Sequence, residues 1–351
     1  MTRKRVYIAG TGGTIGMRRT GGGGYLPEPG FLEEQMKLLP ELGHASMPEY
    51  VLHEYTPLLD SSNMAPEDWS RIAEDLQKNY QSYDGFIVLH GTDTMAYTAS
   101  ALPFMLHGLR KPVIVTGAQL PLSEPRSDAR DNLVTSLLIA SRFAIPEVCL
   151  YFGGRLLRGC RSVKISADGF QAFASPNYPP LGDVGINLEI HWERLRPAEG
   201  RPEFRVQRLE RAIVGSLRLF PGISARFVEH ALQPPLKGLV LEAYGVGNAP
   251  DRDPDLLRVI SEANERGVVI VACTQCLDGV VNLSDYATGA ALARAGVISG
   301  FDMTAEAALA KLCYLWSTTT SADEVKRLMQ TNLRGELTPP GDESRPRPDH
   351  A

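Results

Sequence analysis

No stretch of this 351-residue sequence approaches the roughly 20 apolar residues of a membrane-spanning helix. Basic residues are not in excess either. With 36 Lys and Arg against 41 Asp and Glu, the net charge is −5, which offers no electrostatic attraction to nucleic acid or an anionic membrane. Cysteines are few and odd in number: Cys149, Cys160, Cys273, Cys276 and Cys313. Cys149 and Cys313 lie in apolar segments where free thiols pack as small hydrophobes, so structural disulfides are not expected. Cys273 and Cys276 have no further Cys or His nearby at metal spacing, which favours packing at a strand end or a dimer contact over a zinc site. The basic start, Thr2-Arg3-Lys4-Arg5, imitates a signal peptide, but the apolar run behind it breaks at Gly10 and is too short. The cytoplasm is the expected location and a small polar molecule the expected partner.

What the sequence does contain is an alternation of short apolar runs and amphipathic segments. Residues 6–9, 51–55, 86–89, 113–116 and 148–152 read as buried parallel strands. Between them, 66–80 places Trp69, Ile72, Ala73, Leu76 and Tyr80 on one helical face, with Pro66 at its first position and Glu67 and Asp68 at the positive end of its dipole. Residues 128–142 repeat the pattern. The fold class is therefore α/β, with an N-terminal parallel-sheet domain over 1–190. From 191 to 211 Arg, Glu, Pro and Gly dominate, and the segment reads as a linker or edge hairpin. A second, smaller α/β series of flavodoxin-like type occupies 212–337. It has strands at 238–244 and 268–273, helices at 254–266 and 304–316, and a Ser321/Glu324 capping box before the last helix. The tail, 338–351, is rich in Pro and charge and is expected to be disordered.

Parallel strands gather their carboxyl ends at one edge of the sheet, where such sheets bind ligands. Thr11 and Thr14 follow the first strand, Asp60-Ser61-Ser62 the second, Thr92-Asp93 the third and Gly117-Ala118-Gln119 the fourth. A cluster rich in hydroxyls and carboxylates on glycine-rich turns suits acyl transfer, and Thr14 is the candidate nucleophile. A threonine hydroxyl needs a proton acceptor. His90 ends an apolar strand and is better read as a satisfied core histidine. A lysine held out of water gives up its charge readily, and Lys164 follows the fifth strand within reach of a loop. Gly21-Gly22-Gly23-Gly24-Tyr25 has the composition of a lid with glycine hinges and one phenol.

The segments Thr11-Gly12-Gly13-Thr14-Ile15-Gly16 and His90-Gly91-Thr92-Asp93-Thr94 resemble the two signatures of bacterial-type L-asparaginases. Asp60-Ser61-Ser62, Lys164-Ile165-Ser166-Ala167-Asp168-Gly169 and Tyr244-Gly245-Val246-Gly247-Asn248-Ala249-Pro250 extend the likeness, which is strongest to the cytoplasmic, type I branch, whose members end similarly to Asn332-Leu333-Arg334-Gly335-Glu336. The resemblance implies hydrolysis of L-asparagine to L-aspartate and ammonia, with no metal and no organic cofactor. It implies Thr14 as the attacking residue, Tyr25 as its assistant on the lid, and Thr92, Asp93 and Lys164 as a second catalytic group. Asp60, Ser61 and Ser62, with Thr92 and Asp93, would hold the substrate's α-groups. Asn248 would reach the site of a neighbouring subunit in a homodimer or dimer of dimers.

Two departures stand out. Secreted relatives place a partner-subunit glutamate near the lid tyrosine, and Asn282-Leu283-Ser284-Asp285-Tyr286 gives no clear match to it. Effector-controlled relatives have a threonine and a basic residue where this sequence has Val163 and Glu242, so hyperbolic kinetics are expected. The alternatives are a glutaminase-asparaginase or tRNA-linked amidotransferase-type amidohydrolase and, outside enzymes, an amino-acid sensor. A dinucleotide fingerprint fails because Ile15 occupies the position of its third glycine.

Overall fold

The computed structural model describes residues 3–197, 203–210, 213–339 and 341. Two compact units result: 1–175 with 179–207, and 176–178 with 208–351.

The first unit is built on strands β1 (Arg5–Gly12), β2 (Glu49–Leu59), β3 (Gly85–Leu89), β4 (Val113–Thr116), β5 (Val148–Phe152), β6 (Arg155–Arg158), β7 (Gly182–Val184) and β8 (Leu188–Ile190). Their spatial order is β8-β7-β6-β5-β4-β3-β1-β2. From β2 to β5 every pairing is parallel, as the apolar runs suggested. Beyond β5 the sheet turns antiparallel, which the sequence reading did not foresee. The cause is local: Gly153 and Gly154 both take positive φ, 56° and 84°, and a two-glycine turn of that kind folds β6 straight back on β5.

The parallel part has the doubly wound order 2-1-3-4-5, whose switch point lies between β1 and β3. At that point neighbouring connections leave on opposite faces and open a crevice at the carboxyl ends. The turns after Gly12 and Leu89 flank it.

Helices α1 (Phe31–Lys37), α2 (Pro66–Asn79), α3 (Met95–Met105) and α4 (Ala129–Arg142) belong to this unit. Helix α2 buries Trp69, Ile72, Ala73 and Leu76, and the Asp68 carboxylate caps it by accepting from the Ala65 N–H at 2.9 Å. Helix α3 is apolar on all sides and buried at every residue except Tyr97, so it carries no periodic signal.

Residues 191–197 and 203–207, read from composition as linker or edge hairpin, pack within the first unit. Phe204 stacks on Tyr80 with centroids 3.6 Å apart, and Arg205–Val206 pairs with Leu106–His107. The Arg196 N–H donates to Glu147, which is itself in a buried ion pair with Arg158 at 2.7 Å.

The second unit has four parallel strands in chain order, β9 (Val214–Arg218), β10 (Gly238–Ala243), β11 (Val269–Thr274) and β12 (Ile298–Ser299). Crossovers of one hand between strands in sequential order put all their helices on the same face. Accordingly α5 (Ala225–Ala231), α6 (Pro254–Glu265) and α7 (Ala287–Arg294) supply Val228, Leu256 and Leu292 to one apolar layer. Helices α8 (Ala305–Trp316) and α9 (Ala322–Met329) cover the other face with Leu312, Leu315, Val325 and Met329. Asp253, Thr304 and Ser321 cap α6, α8 and α9 by accepting N–H groups of the first turn. Of the tail, 340 and 342–351 lie outside the described residues. Among the described residues, no helix is long and apolar enough to cross a membrane.

Candidate active site

Strand β1 ends in a turn that only glycine can make. Gly12 and Gly13 have φ of 134° and 89°, and a Cβ on Gly13 would sit 2.4 Å from the Gly91 nitrogen. Gly91 is crowded in turn by a side chain, since a Cβ there would meet the Ser61 Oγ at 2.3 Å. The turns after β1 and β3 thereby pack backbone against backbone, the Ser61 side chain packs against Gly91, and the residues beside these glycines converge. Thr94 tightens the junction by donating to the Ser61 carbonyl at 2.7 Å.

The result is a cavity of about 380 Å³ walled by Gly13, Thr14, Met17, Asp60, Ser61, Ser62, Gly91, Thr92, Asp93, Gln119, Lys164 and Ala167. Of the residues singled out from sequence, Thr14, Asp60, Ser61, Ser62, Thr92, Asp93 and Lys164 meet here. Tyr25 is not among these walls. It starts the second strand of a short hairpin, Met17–Arg19 with Tyr25–Pro27, and the glycine run 21–24 is that hairpin's turn, closed by Thr20 and Gly24. Its phenol donates to Glu124 Oε1 at 3.1 Å, and desolvation together with this bond raises its pKa above that of an ordinary phenol. Tyr25 thus has a carboxylate partner within its own chain. Asn248 lies in the second unit, where it accepts a hydrogen bond from Thr288 Oγ1 at 2.5 Å.

Lys164 Nζ donates to Thr92 Oγ1 at 2.9 Å and to Asp93 Oδ1 at 2.8 Å. The Lys164 side chain is 20% exposed and that of Asp93 67%, so the pair adds about 0–1 kcal/mol to stability. Its geometry therefore serves the hydroxyl rather than the fold. Thr92 donates in turn to Gln119 Oε1 at 3.0 Å, a contact that sequence reading did not assign. Asp60 accepts from the Ser62 N–H at 3.0 Å and holds the Ser61-Ser62 turn in place. Among the described residues, the Thr14 hydroxyl has no hydrogen-bond partner.

Two residues of the same turns are structural. Thr11 is buried within β1 and donates to the Leu89 carbonyl at 2.7 Å, joining β1 to β3. His90 is fully buried. Its Nδ1 bonds the Gly91 carbonyl at 2.7 Å and its Nε2 the Thr98 hydroxyl at 2.8 Å, while Trp69 donates to that hydroxyl at 3.0 Å. Burial lowers its pKa to about 4, so it is a neutral core residue with both nitrogens engaged. Cys273 is buried and its thiol is pushed up to about 12 by burial, whereas Cys276 is exposed.

Comparison with known proteins agrees with this architecture. The family model for the N-terminal domain of asparaginases matches residues 5–196, and that for the glutaminase/asparaginase C-terminal domain matches 213–329. L-asparaginase 1 of Escherichia coli (strain K12) is 53% identical, with 97% of this chain and 99% of that protein aligned. The crystal structure of L-asparaginase I from Vibrio cholerae superposes with a TM-score of 0.88 at 51% identity, covering 96% of this chain and all of that one. A mouse 60 kDa lysophospholipase is 46% identical over 96% of this chain, which spans 63% of that longer protein. This chain belongs to the asparaginase family.

Proposed function

We propose that the protein is an L-asparaginase, which hydrolyses the side-chain amide of L-asparagine to L-aspartate and ammonia. The observation that carries this reading is one polar cavity with two threonine hydroxyls on separate turns, one of them tied to a lysine and a carboxylate. Thr14 Oγ attacks the amide carbon, the C–N bond breaks with proton transfer to nitrogen, and ammonia leaves. Water then cleaves the threonyl ester, or attacks the amide directly with the same groups in place. Tyr25 assists Thr14 when the hairpin closes, and Thr92, Asp93 and Lys164 govern the protons around the leaving nitrogen. Asp60 and Asp93 suit the substrate's α-ammonium, and Ser61 and Ser62 suit its α-carboxylate.

The cavity's walls argue for a zwitterionic amino acid and against a lysophospholipid. Threonine, serine, aspartate and lysine side chains dominate them, and a fatty acyl chain would gain little from such a surface. We also propose that Asn248 completes a neighbouring subunit's site in a homodimer or dimer of dimers, and that the enzyme works in the cytoplasm. The test is product release from L-asparagine, L-glutamine and lysophosphatidylcholine under one set of conditions. Ammonia from asparagine at the highest kcat/KM is expected. Preferential fatty-acid release, or faster turnover of glutamine, would replace the proposed substrate.

A further inference from the structure

Gln119 is held more tightly than a wall residue needs. Its backbone N–H donates to both oxygens of Asp128 at 3.0 Å, and the Leu120 N–H joins them at 3.1 Å. Its side-chain Nε2 donates to the carbonyls of Ala167 and Gly169 at 3.2 and 3.1 Å. Rotating the amide by half a turn would aim its oxygen at two carbonyl oxygens, so the direction of the amide is fixed. Gln119 Oε1 therefore always presents an acceptor to Thr92, 3.0 Å away.

That acceptor decides what Thr92 can do. The hydroxyl has one proton and two lone pairs. The proton goes to Gln119, and one lone pair accepts from Lys164 Nζ at 2.9 Å. What is left for the cavity is a single lone pair, which can only accept. An amide NH₂ brings an N–H to such a site. An ester oxygen brings none, and a carboxylate oxygen sets acceptor against acceptor.

We propose that Gln119 is a positioning residue that fixes Thr92 as a hydrogen-bond acceptor, and so gives the site its preference for a carboxamide over an ester. This inference rests on the asparaginase reading above. The same geometry disfavours retention of the aspartate product, whose new carboxylate oxygen replaces the departed NH₂.

The test compares kcat/KM for L-asparagine with that for the β-methyl ester of L-aspartate, which differs in lacking the N–H. Gln119→Met removes the acceptor and the two loop contacts together. Gln119→Glu keeps an acceptor toward Thr92 but loses both donors to the loop. The expected result is about a tenfold fall in the amide-to-ester ratio for Gln119→Met, the size of one lost hydrogen bond, and a ratio within about twofold of wild type for Gln119→Glu. Should Gln119→Met fail to fold, Gln119→Asn withdraws the acceptor by one methylene and the same fall is expected. An equal loss on both substrates, an unchanged ratio in the acceptor-deleting variant, or the same change in ratio for Met and Glu would overturn the proposal. Failure of the wild type to hydrolyse asparagine at all would instead sink the underlying reading, and this inference with it.

Discussion

Two lysine–carboxylate pairs in this chain have opposite characters. Lys164 and Asp93 meet at 2.8 Å on a cavity wall, where both remain in contact with solvent and only two of the lysine's three N–H groups have assigned acceptors. Lys311 and Glu336 meet at 2.5 Å with neither side chain exposed. The Lys311 ammonium also donates to the carbonyls of Met329 and Thr331, and Glu336 accepts from the N–H groups of Leu333 and Arg334. Although burial alone would raise the pKa of Glu336, Lys311 and those N–H groups lower it further than burial raises it, so it stays ionised. The closed pair has spent its hydrogen-bonding capacity on holding the chain after α9 in place. The open one retains capacity that a ligand can use. Partial satisfaction, rather than the presence of charge, distinguishes the pair proposed for chemistry from the one that holds the fold.

The largest effect should come from the open site. Thr14→Ala removes a half-buried hydroxyl that lines the cavity and no core volume, so the fold should persist while kcat falls about 10³-fold or more. Circular dichroism and ammonia release on the same sample check this, and a folded variant retaining most activity would remove Thr14 from the nucleophile's role. The closed pair should respond in the other currency. Lys311→Met leaves a buried carboxylate uncompensated and should cost about 3–5 kcal/mol in urea unfolding. A loss below about 1 kcal/mol would mean the pair is not structural in the sense argued.

His90 extends the comparison, because it is as closed as Lys311. The unfolded chain protonates this histidine below its ordinary pKa of 6.5, whereas the folded chain resists protonation down to about 4. Between those values the unfolded state binds more protons, so stability falls as pH drops and is unaffected above 6.5. The contribution is about 2 kcal/mol between pH 6.5 and 5. His90→Gln should flatten that part of the stability profile, and an unchanged slope would show that other groups set it. A smaller effect is expected at the hairpin: Tyr25→Phe should lower kcat about 10- to 100-fold with KM within about threefold, as for an assisting group that acts in the transition state. A larger change in KM than in kcat would make Tyr25 a binding residue.

Much of this was legible in the sequence, for a physical reason. Helix α2 announced itself through its period and its first-turn Pro66, Glu67 and Asp68, and the Ser321/Glu324 capping box did the same for α9, whereas the caps Asp253 and Thr304 emerged only in the structure. Parallel topology then brought Thr14, Ser61 and Thr92 to one edge without any knowledge of side-chain contacts. What escaped lacks a local signal. Helix α3 has no polar face, and the antiparallel extension of the sheet depends on the φ angles of Gly153 and Gly154. Thr11 and Thr14 looked alike as hydroxyls on one turn, yet the ladder continues through Gly12 and buries the first. Glu124 lies 99 residues from Tyr25 in a Pro-flanked turn that reads as surface. Gln119 stood out only as a turn residue, because its role depends on carbonyls at Ala167 and Gly169 that no spacing reveals.

If the open lysine serves the reaction, as proposed, and the closed one the fold, losing each should register in a different assay. The decisive measurement is asparaginase activity per folded molecule for Lys164→Met and Lys311→Met, at a temperature where native protein can be counted. Lys164→Met is expected to be folded and nearly inactive, while Lys311→Met is expected to be less stable yet turn over at about the wild-type rate in its folded fraction. An active Lys164→Met, or a fully folded Lys311→Met that has lost its turnover, would contradict that division of roles.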